Sequence, residues 1–155
     1  MILPKQLFWS TFFLFFAVSA FAGSTDIYDE KADAHGDVSA AIAKAGTTHR
    51  NVVLIFGANW CPDCHALHEQ MQKPELAEII AKNFVVVEID VGRMDKNLDV
   101  AKQYHVPINR GIPTLAVLDP HGKLLYAMDQ GQFASARRMS YESIKSFFEQ
   151  WKPST

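Results

Sequence analysis

Four short apolar runs along the chain have the pattern of β-strands. Val52–Phe56 and Phe84–Ile89 are almost continuous and rich in β-branched residues, which is typical of strands that are buried on both faces of a sheet. Thr114–Leu118 and Leu124–Met128 are separated by a polar turn over residues 119–122, so this pair predicts an antiparallel hairpin.

Helical periodicity precedes, separates and follows these runs, which gives the chain an α/β rhythm. Asp37 is the expected N-cap of the first helix, and Gly46 is its expected end. Pro74 closes the second helix and starts a new segment whose apolar residues continue on one face. The predicted helices lie over Val38–Ala45, residues 61–73, Asn97–Tyr104 and a C-terminal stretch that follows Ser140.

The first 22 residues have the features of a secretory signal peptide. Met1–Ala22 contains no acidic residue and one base, Lys5, before an apolar run over Leu7–Val18. The run is too short for a comfortable membrane span, and it leads into the small-residue cleavage site Ala20-Phe21-Ala22. An uncleaved membrane anchor is the alternative. We expect cleavage after Ala22, a flexible mature N-terminus over residues 23–36, one domain over residues 37–155, and a periplasmic or secreted protein.

Composition excludes one class of partner. The chain of 155 residues has a formal net charge of −2 at pH 7, and its basic residues form no cluster beyond Arg137-Arg138. Proteins that bind nucleic acid present a basic patch or stripe to the phosphates. Nucleic acid is therefore not an expected partner, and the length after cleavage has room for one domain with its own core.

Cys61 and Cys64 are the only two cysteines, and they begin the second predicted helix directly after a predicted strand. A pair with this spacing closes only a tiny loop and therefore adds little stability, so its use is chemical. The thiolate is the attacking species, and a helix N-terminus favours it. Cys61 is the predicted nucleophile, and Cys64 is the predicted thiol that resolves a mixed disulfide.

Two other interpretations of this motif remain open at this point. Cys61-Pro62-Asp63-Cys64-His65 satisfies the attachment signature for c-type haem. The nearly continuous predicted strands argue against the helical domain that such a site needs. Cys61, Cys64 and His65, with His68 one turn later, also form a set of soft and borderline ligands suited to Cu(I) or Zn. The redox interpretation is favoured, so no cofactor and no metal ligand are assigned.

In order along the chain, Trp60-Cys61-Pro62-Asp63-Cys64 follows a strand, Ile112-Pro113-Thr114 precedes a hairpin, and a helix closes the domain. On these motifs the chain resembles thioredoxin-fold proteins from Val38 to Trp151, most of all the secreted and periplasmic branch. The resemblance implies a central mixed β-sheet flanked by helices and a thiol:disulfide oxidoreductase. It also implies that Pro113 is cis and faces the dithiol, and that the backbone of Ile112 pairs with a bound substrate chain.

The chain departs from this family between the two cysteines and in the strand that precedes them. Thioredoxins have Gly-Pro between the cysteines, whereas this chain has Pro62-Asp63. An acid beside the thiolates is expected to raise the cysteine pKa, which favours a reductant or isomerase over a strong oxidant. The family also keeps a buried acid six positions before the first cysteine, where this chain has Ile55. The candidate replacements as proton acceptor are Glu88, His65, His68 and Glu69.

The residues and the resemblance together predict an exported thiol:disulfide oxidoreductase that cycles through Cys61 and Cys64. Its expected partners are exported client proteins with disulfides or free thiols, and a membrane-bound redox protein. Trp60 and Phe133 are the aromatic residues expected to flank the substrate.

Overall fold

The computed structural model describes residues 26–154. The predicted signal peptide therefore lies outside the described residues. None of the helices in the described part is long and apolar enough to cross a membrane. The elements, in chain order, are α1 (Ala34–Thr48), β1 (Asn51–Gly57), α2 (Pro62–Met71), α3 (Pro74–Asn83), β2 (Phe84–Asp90), α4 (Leu98–Gln103), β3 (Thr114–Leu118), β4 (Leu124–Ala127) and α5 (Tyr141–Trp151).

The four strands form one mixed sheet in the order β2-β1-β3-β4. Strand β1 pairs in parallel with β2 and antiparallel with β3, and β3 and β4 form the predicted antiparallel hairpin. Ile55 in β1 lies opposite Glu88 in β2 on one side and opposite Leu115 in β3 on the other. The predicted α/β fold with a central mixed sheet and flanking helices is confirmed.

The central strand β1 is buried along its whole length because the sheet is covered on both faces. Successive side chains of a strand point to opposite faces. Leu54 and Phe56 therefore pack into the cluster that contains α1 and both cysteines. Val53 and Ile55 pack into a second cluster with α2, α3 and α5. The carboxyl end of β1 delivers the chain to the motif that contains the cysteines.

Helix α1 begins earlier and ends later than the predicted Val38–Ala45. The side chain of Asp33, not of Asp37, caps it by accepting a hydrogen bond from the Gly36 N–H at 3.1 Å. Asp37 lies in the first turn, where its charge suits the helix dipole. Gly46 does not end the helix but lies inside it, and a Cβ there would approach the Pro120 carbonyl oxygen to 3.4 Å.

The chain before α1 packs against the domain. The side chain of Asn59 accepts hydrogen bonds from the N–H groups of Ile27 and Tyr28, both at 2.9 Å, and donates one to the Tyr28 carbonyl at 2.9 Å. Tyr28 is only 2% exposed. The structure therefore moves the start of the packed domain from residue 37 to Ile27, because a residue 31 positions away satisfies the backbone of this segment.

Candidate active site

Cys61 is the N-cap of α2, and the two cysteines face each other across the first turn. The Cys61 N–H donates to the Ala58 carbonyl at 3.0 Å, which sets the tight turn after β1. Pro62 then occupies the first turn of α2, where its missing N–H costs nothing. The Cys64 N–H donates to the Cys61 sulfur at 3.2 Å. Both cysteines are free thiols and both are buried.

The surroundings of Cys61 favour its thiolate. A hydrogen bond from the Cys64 thiol is the largest effect, and together with the N–H groups of Cys64 and Asp63 it lowers the pKa of Cys61 to about 7. Partial burial and the charge of Asp63 act in the opposite direction and are outweighed. Cys61 is thus partly ionised at neutral pH, as the attacking thiol of a disulfide exchange must be.

The surroundings of Cys64 favour its protonated form. Its hydrogen bond to Cys61 and its burial raise its pKa, while hydrogen bonds from Ala58 and Tyr28 act in the opposite direction. Because the two thiols interact, ionisation of one suppresses ionisation of the other. This asymmetry matches the predicted roles, in which Cys61 is the nucleophile and Cys64 stays protonated until it resolves the mixed disulfide.

The charge of Asp63 raises the pKa of Cys61, as predicted, but it is outweighed by the hydrogen bonds that lower that pKa. Asp63 accepts a hydrogen bond from the Arg137 N–H at 3.0 Å, and its carboxylate lies 3.3 Å from the Arg137 guanidinium. Partial burial works against the charged form, but Arg137 and then Arg138 hold the pKa of Asp63 below its usual value. The carboxylate is therefore compensated, and it opposes the Cys61 thiolate only weakly.

The loop that contains Pro113 lies against the dithiol. The Ile112–Pro113 peptide bond is cis, as predicted. The Cys61 thiol donates to the Ile112 carbonyl oxygen at 3.5 Å, although the two residues are 51 positions apart. Ile112 is 6% exposed, so this contact closes one side of the site. Pairing of the Ile112 backbone with a substrate chain stays a prediction.

Trp60 provides an exposed aromatic surface beside the cysteines. It is 48% exposed, its indole N–H donates to the Gly92 carbonyl at 2.7 Å, and the Arg93 guanidinium lies 5.7 Å from its ring centroid. The indole is thus held in place while one face stays open to solvent. Phe133, in contrast, is 3% exposed and packs edge-to-face on Phe147 at 5.2 Å. Phe133 is a core residue and does not flank a substrate.

Three of the four candidate proton acceptors, Glu88, His65 and His68, have other partners. Nε2 of His65 lies 2.6 Å from the Asn59 carbonyl oxygen, and Nδ1 of His68 lies 3.2 Å from Glu88. Burial raises the pKa of Glu88, and its hydrogen bond to His68 opposes that shift. Glu69 is exposed on the outer face of α2.

The alternative ligand set is not assembled in the structure. Within residues 26–154, no group of three or more His, Cys, Asp and Glu side chains is placed to hold a metal ion. His65 points to the Asn59 carbonyl instead of joining Cys61 and Cys64 in such a group. The sheet-based fold also differs from the helical domain expected around a c-type haem.

Tyr28 is a residue of the site that the sequence pattern did not reveal. A Cβ added at Gly57 would lie 2.2 Å from the Tyr28 hydroxyl oxygen and 2.9 Å from the Cys64 sulfur. Gly57 therefore leaves space in which the hydroxyl and the thiol meet. Tyr28 precedes the motif by more than thirty positions and stands in a polar segment. No local pattern marks such a residue as buried.

A family model described as Thioredoxin-like matches residues 33–120. A curated relative, the probable nucleoredoxin 3 of Oryza sativa subsp. japonica, is 30% identical over 94 residues, covering 48% of this chain. The match spans 20% of that relative's length.

Solved structures share the fold. The disulphide isomerase of Xylella fastidiosa Temecula1 is 44% identical, with a TM-score of 0.77, and the alignment covers 80% of this chain and 95% of that one. The reduced DsbD C-terminal domain of Neisseria meningitidis is 21% identical, with a TM-score of 0.53, and the alignment covers 76% of this chain and 96% of that one. At this lower identity the second similarity concerns the fold alone.

Replacement of Arg137 by alanine tests the compensation of Asp63. In Arg137→Ala the charge of Asp63 is no longer balanced, so the pKa of Cys61 rises and its alkylation rate at pH 7 falls to roughly half. The rate is measured with iodoacetamide across pH on the reduced protein. Adding Asp63→Asn to Arg137→Ala removes the uncompensated charge and restores a low pKa. An unchanged pKa in the single variant contradicts the compensation.

Proposed function

The chain belongs to the thioredoxin-like family, its Cys61–Cys64 site is that of a thiol:disulfide oxidoreductase, and from this premise we propose that it reduces or isomerises disulfides of exported client proteins. The observation that carries the proposal is the asymmetry of the two thiols. Cys61 has its pKa lowered to about 7, whereas the pKa of its partner Cys64 is raised. An attacking thiol works best when its pKa lies near the ambient pH.

The reaction proceeds in two exchanges. The Cys61 thiolate attacks one sulfur of a client disulfide, forming a mixed disulfide and releasing the other client sulfur as a thiolate that takes up a proton. The client strand lies along Ile112-Pro113, beside the Cys61 sulfur. Cys64 then attacks the Cys61 sulfur, which closes the Cys61–Cys64 disulfide and releases the reduced client. If a second client thiol attacks first, the client is isomerised and the enzyme dithiol is regenerated.

The direction of electron flow is supported by the size of the pKa shift. A strong oxidant stabilises its nucleophilic thiolate far more, with a pKa of about 3.5 in DsbA against about 7 in thioredoxin. The pKa of Cys61 is about 7. The similarity to a protein described as a disulphide isomerase, at 44% identity, points in the same direction. A reductase or isomerase needs a supply of electrons, and for an exported protein we propose a membrane-bound redox partner.

The reduction potential of the dithiol tests this direction. We expect a value closer to the about −270 mV of thioredoxin than to the about −120 mV of DsbA. The mature domain is equilibrated with glutathione and dithiothreitol buffers, and the oxidised fraction is measured by mass spectrometry after acid quenching. A potential in the range of DsbA assigns the protein to disulfide donation and contradicts the proposal.

The assignment of roles to the two cysteines is tested by trapping. In Cys64→Ala the mixed disulfide on Cys61 has no resolving thiol, so covalent client complexes accumulate several-fold over the wild type. Extracts are separated on non-reducing gels, and the complexes are identified by mass spectrometry. Cys61→Ala is the matched control, because it keeps one buried thiol but lacks the nucleophile. Equal trapping by both variants overturns the role assignment.

Export of the protein is a separate part of the proposal, and it is tested by the mature N-terminus. If Met1–Ala22 is a signal peptide, the protein recovered from the periplasm or medium begins at Gly23. The intact mass and N-terminal sequence of that protein are measured. Replacing Ala20 and Ala22 with bulky residues serves as the control, because it blocks processing without touching the described domain. Recovery of the full chain with Met1 in place contradicts cleavage.

A further inference from the structure

We propose that Tyr28 is a catalytic residue, whose hydroxyl donates a hydrogen bond to the Cys64 sulfur as Cys64 resolves the mixed disulfide. The inference rests on the proposed thiol:disulfide exchange and names a further residue for it. The position at which related proteins keep a buried acid is Ile55 here, and its side chain belongs to the core cluster on the opposite face of the sheet from the cysteines. Residue 55 therefore provides no carboxyl group to Cys64, the resolving thiol.

The geometry at Gly57 brings the hydroxyl and the thiol together. The space next to the Gly57 Cα is filled by the Tyr28 hydroxyl, the end of its ring and the Cys64 sulfur, which would lie 2.2, 2.5 and 2.9 Å from a Cβ. Any side chain at residue 57 would separate Tyr28 from Cys64. The absence of a side chain at Gly57, the last residue of β1, therefore lets Tyr28 and Cys64 share this space.

Both the backbone and the side chain of Tyr28 have contacts that hold the residue in this position. Asn59, two residues before Cys61, binds the N–H and the carbonyl of Tyr28 at 2.9 Å each. The side chain lies in the same core cluster as both cysteines and is 2% exposed. A hydroxyl held in this way lies beside the sulfur before the thiol ionises, so little reorganisation accompanies the reaction.

The hydroxyl acts as a donor and not as a base. Burial is the largest of the effects that raise the pKa of Tyr28, and the nearby Cys64 and Glu88 act in the same direction. The phenol therefore keeps its proton throughout the working pH range. A hydrogen bond from it to Cys64 favours the Cys64 thiolate. The other groups that act on Cys64 are the N–H of Ala58 and the sulfur of Cys61.

The step balances without a further reactant. The Cys64 sulfur forms a bond to the Cys61 sulfur while the bond from Cys61 to the client sulfur breaks. The two electrons of the dithiol reduce the client, and the proton lost by Cys64 is taken up by the departing client thiolate. Tyr28 neither gains nor loses a proton overall. Its hydrogen bond stabilises the negative charge that develops on Cys64 in a buried site, where an unpaired charge is costly.

The experiment compares the two exchanges separately in Tyr28→Phe. The reduced full-length protein is mixed with glutathione disulfide, quenched with acid at timed intervals, and the glutathionylated and oxidised forms are quantified by mass spectrometry. We expect the rate of glutathionylation of Cys61 to stay within about twofold, while resolution by Cys64 slows about tenfold, the effect of one lost hydrogen bond to a charged group. The glutathionylated intermediate therefore accumulates in the variant.

A pH profile separates a chemical role from a structural one. Without the hydroxyl the pKa of Cys64 lies higher, so the rise of the resolution rate with pH moves to higher pH in Tyr28→Phe. Tyr104→Phe is the matched control, because it removes another hydroxyl from a buried tyrosine in the same core cluster. Its resolution rate and pH profile are expected to match those of the wild type.

The outcomes distinguish this inference from the proposed function. If the wild type forms no glutathionylated intermediate and no Cys61–Cys64 disulfide, the proposed function fails and the role of Tyr28 fails with it. If the wild type cycles and Tyr28→Phe resolves at the same rate and with the same pH profile, only the role of Tyr28 is overturned. Equal slowing of both exchanges in Tyr28→Phe also overturns it, since that result indicates a general loss of structure.

Discussion

The interaction between the two cysteine thiols is the constraint on which the site depends. A hydrogen bond from Cys64 to Cys61 lowers the pKa of Cys61 and raises that of Cys64. The start of α2 therefore contains both a nucleophilic thiolate and a protonated resolving thiol. The arrangement requires Cys61 at the N-cap, where the Cys64 N–H reaches its sulfur at 3.2 Å. It also requires the tight turn after β1 and a proline that starts the helix without needing a hydrogen-bond partner.

Segments remote in sequence then adjust the charge around this pair. Arg137 approaches Asp63 across 74 positions, and the Ile112 carbonyl reaches Cys61 across 51. The acid inside the motif would by itself oppose the thiolate, as its position indicates. Its ion pair with Arg137 offsets that charge, while the hydrogen bonds from the Cys64 thiol and from the N–H groups of Cys64 and Asp63 lower the pKa of Cys61 to about 7. The chemistry of the dithiol therefore depends on the fold as a whole and not on the four residues of the motif.

The same distinction explains what could be predicted from the sequence. The buried strands β1 and β2, the hairpin and helix α2 have local signatures in composition or spacing, and the cis bond before Pro113 follows from the resemblance to thioredoxin-fold proteins. The start of α1 was misplaced because two aspartates four positions apart are both suitable caps, and only packing decides between them. Tyr28 and Arg137 were missed as site residues because their partners lie more than thirty positions away. No periodicity encodes such contacts.

The choice of a tyrosine beside Cys64 has an electrostatic consequence. A buried carboxylate near two sulfurs adds negative charge, which raises the pKa of both thiols. A phenol with a raised pKa supplies a hydrogen bond without any charge. Tyr28 can therefore assist Cys64 while leaving Cys61 ionisable near neutral pH. With Ile55 facing the opposite core and Asp63 paired with Arg137, no uncompensated acid within the described first turn of α2 opposes the nucleophile.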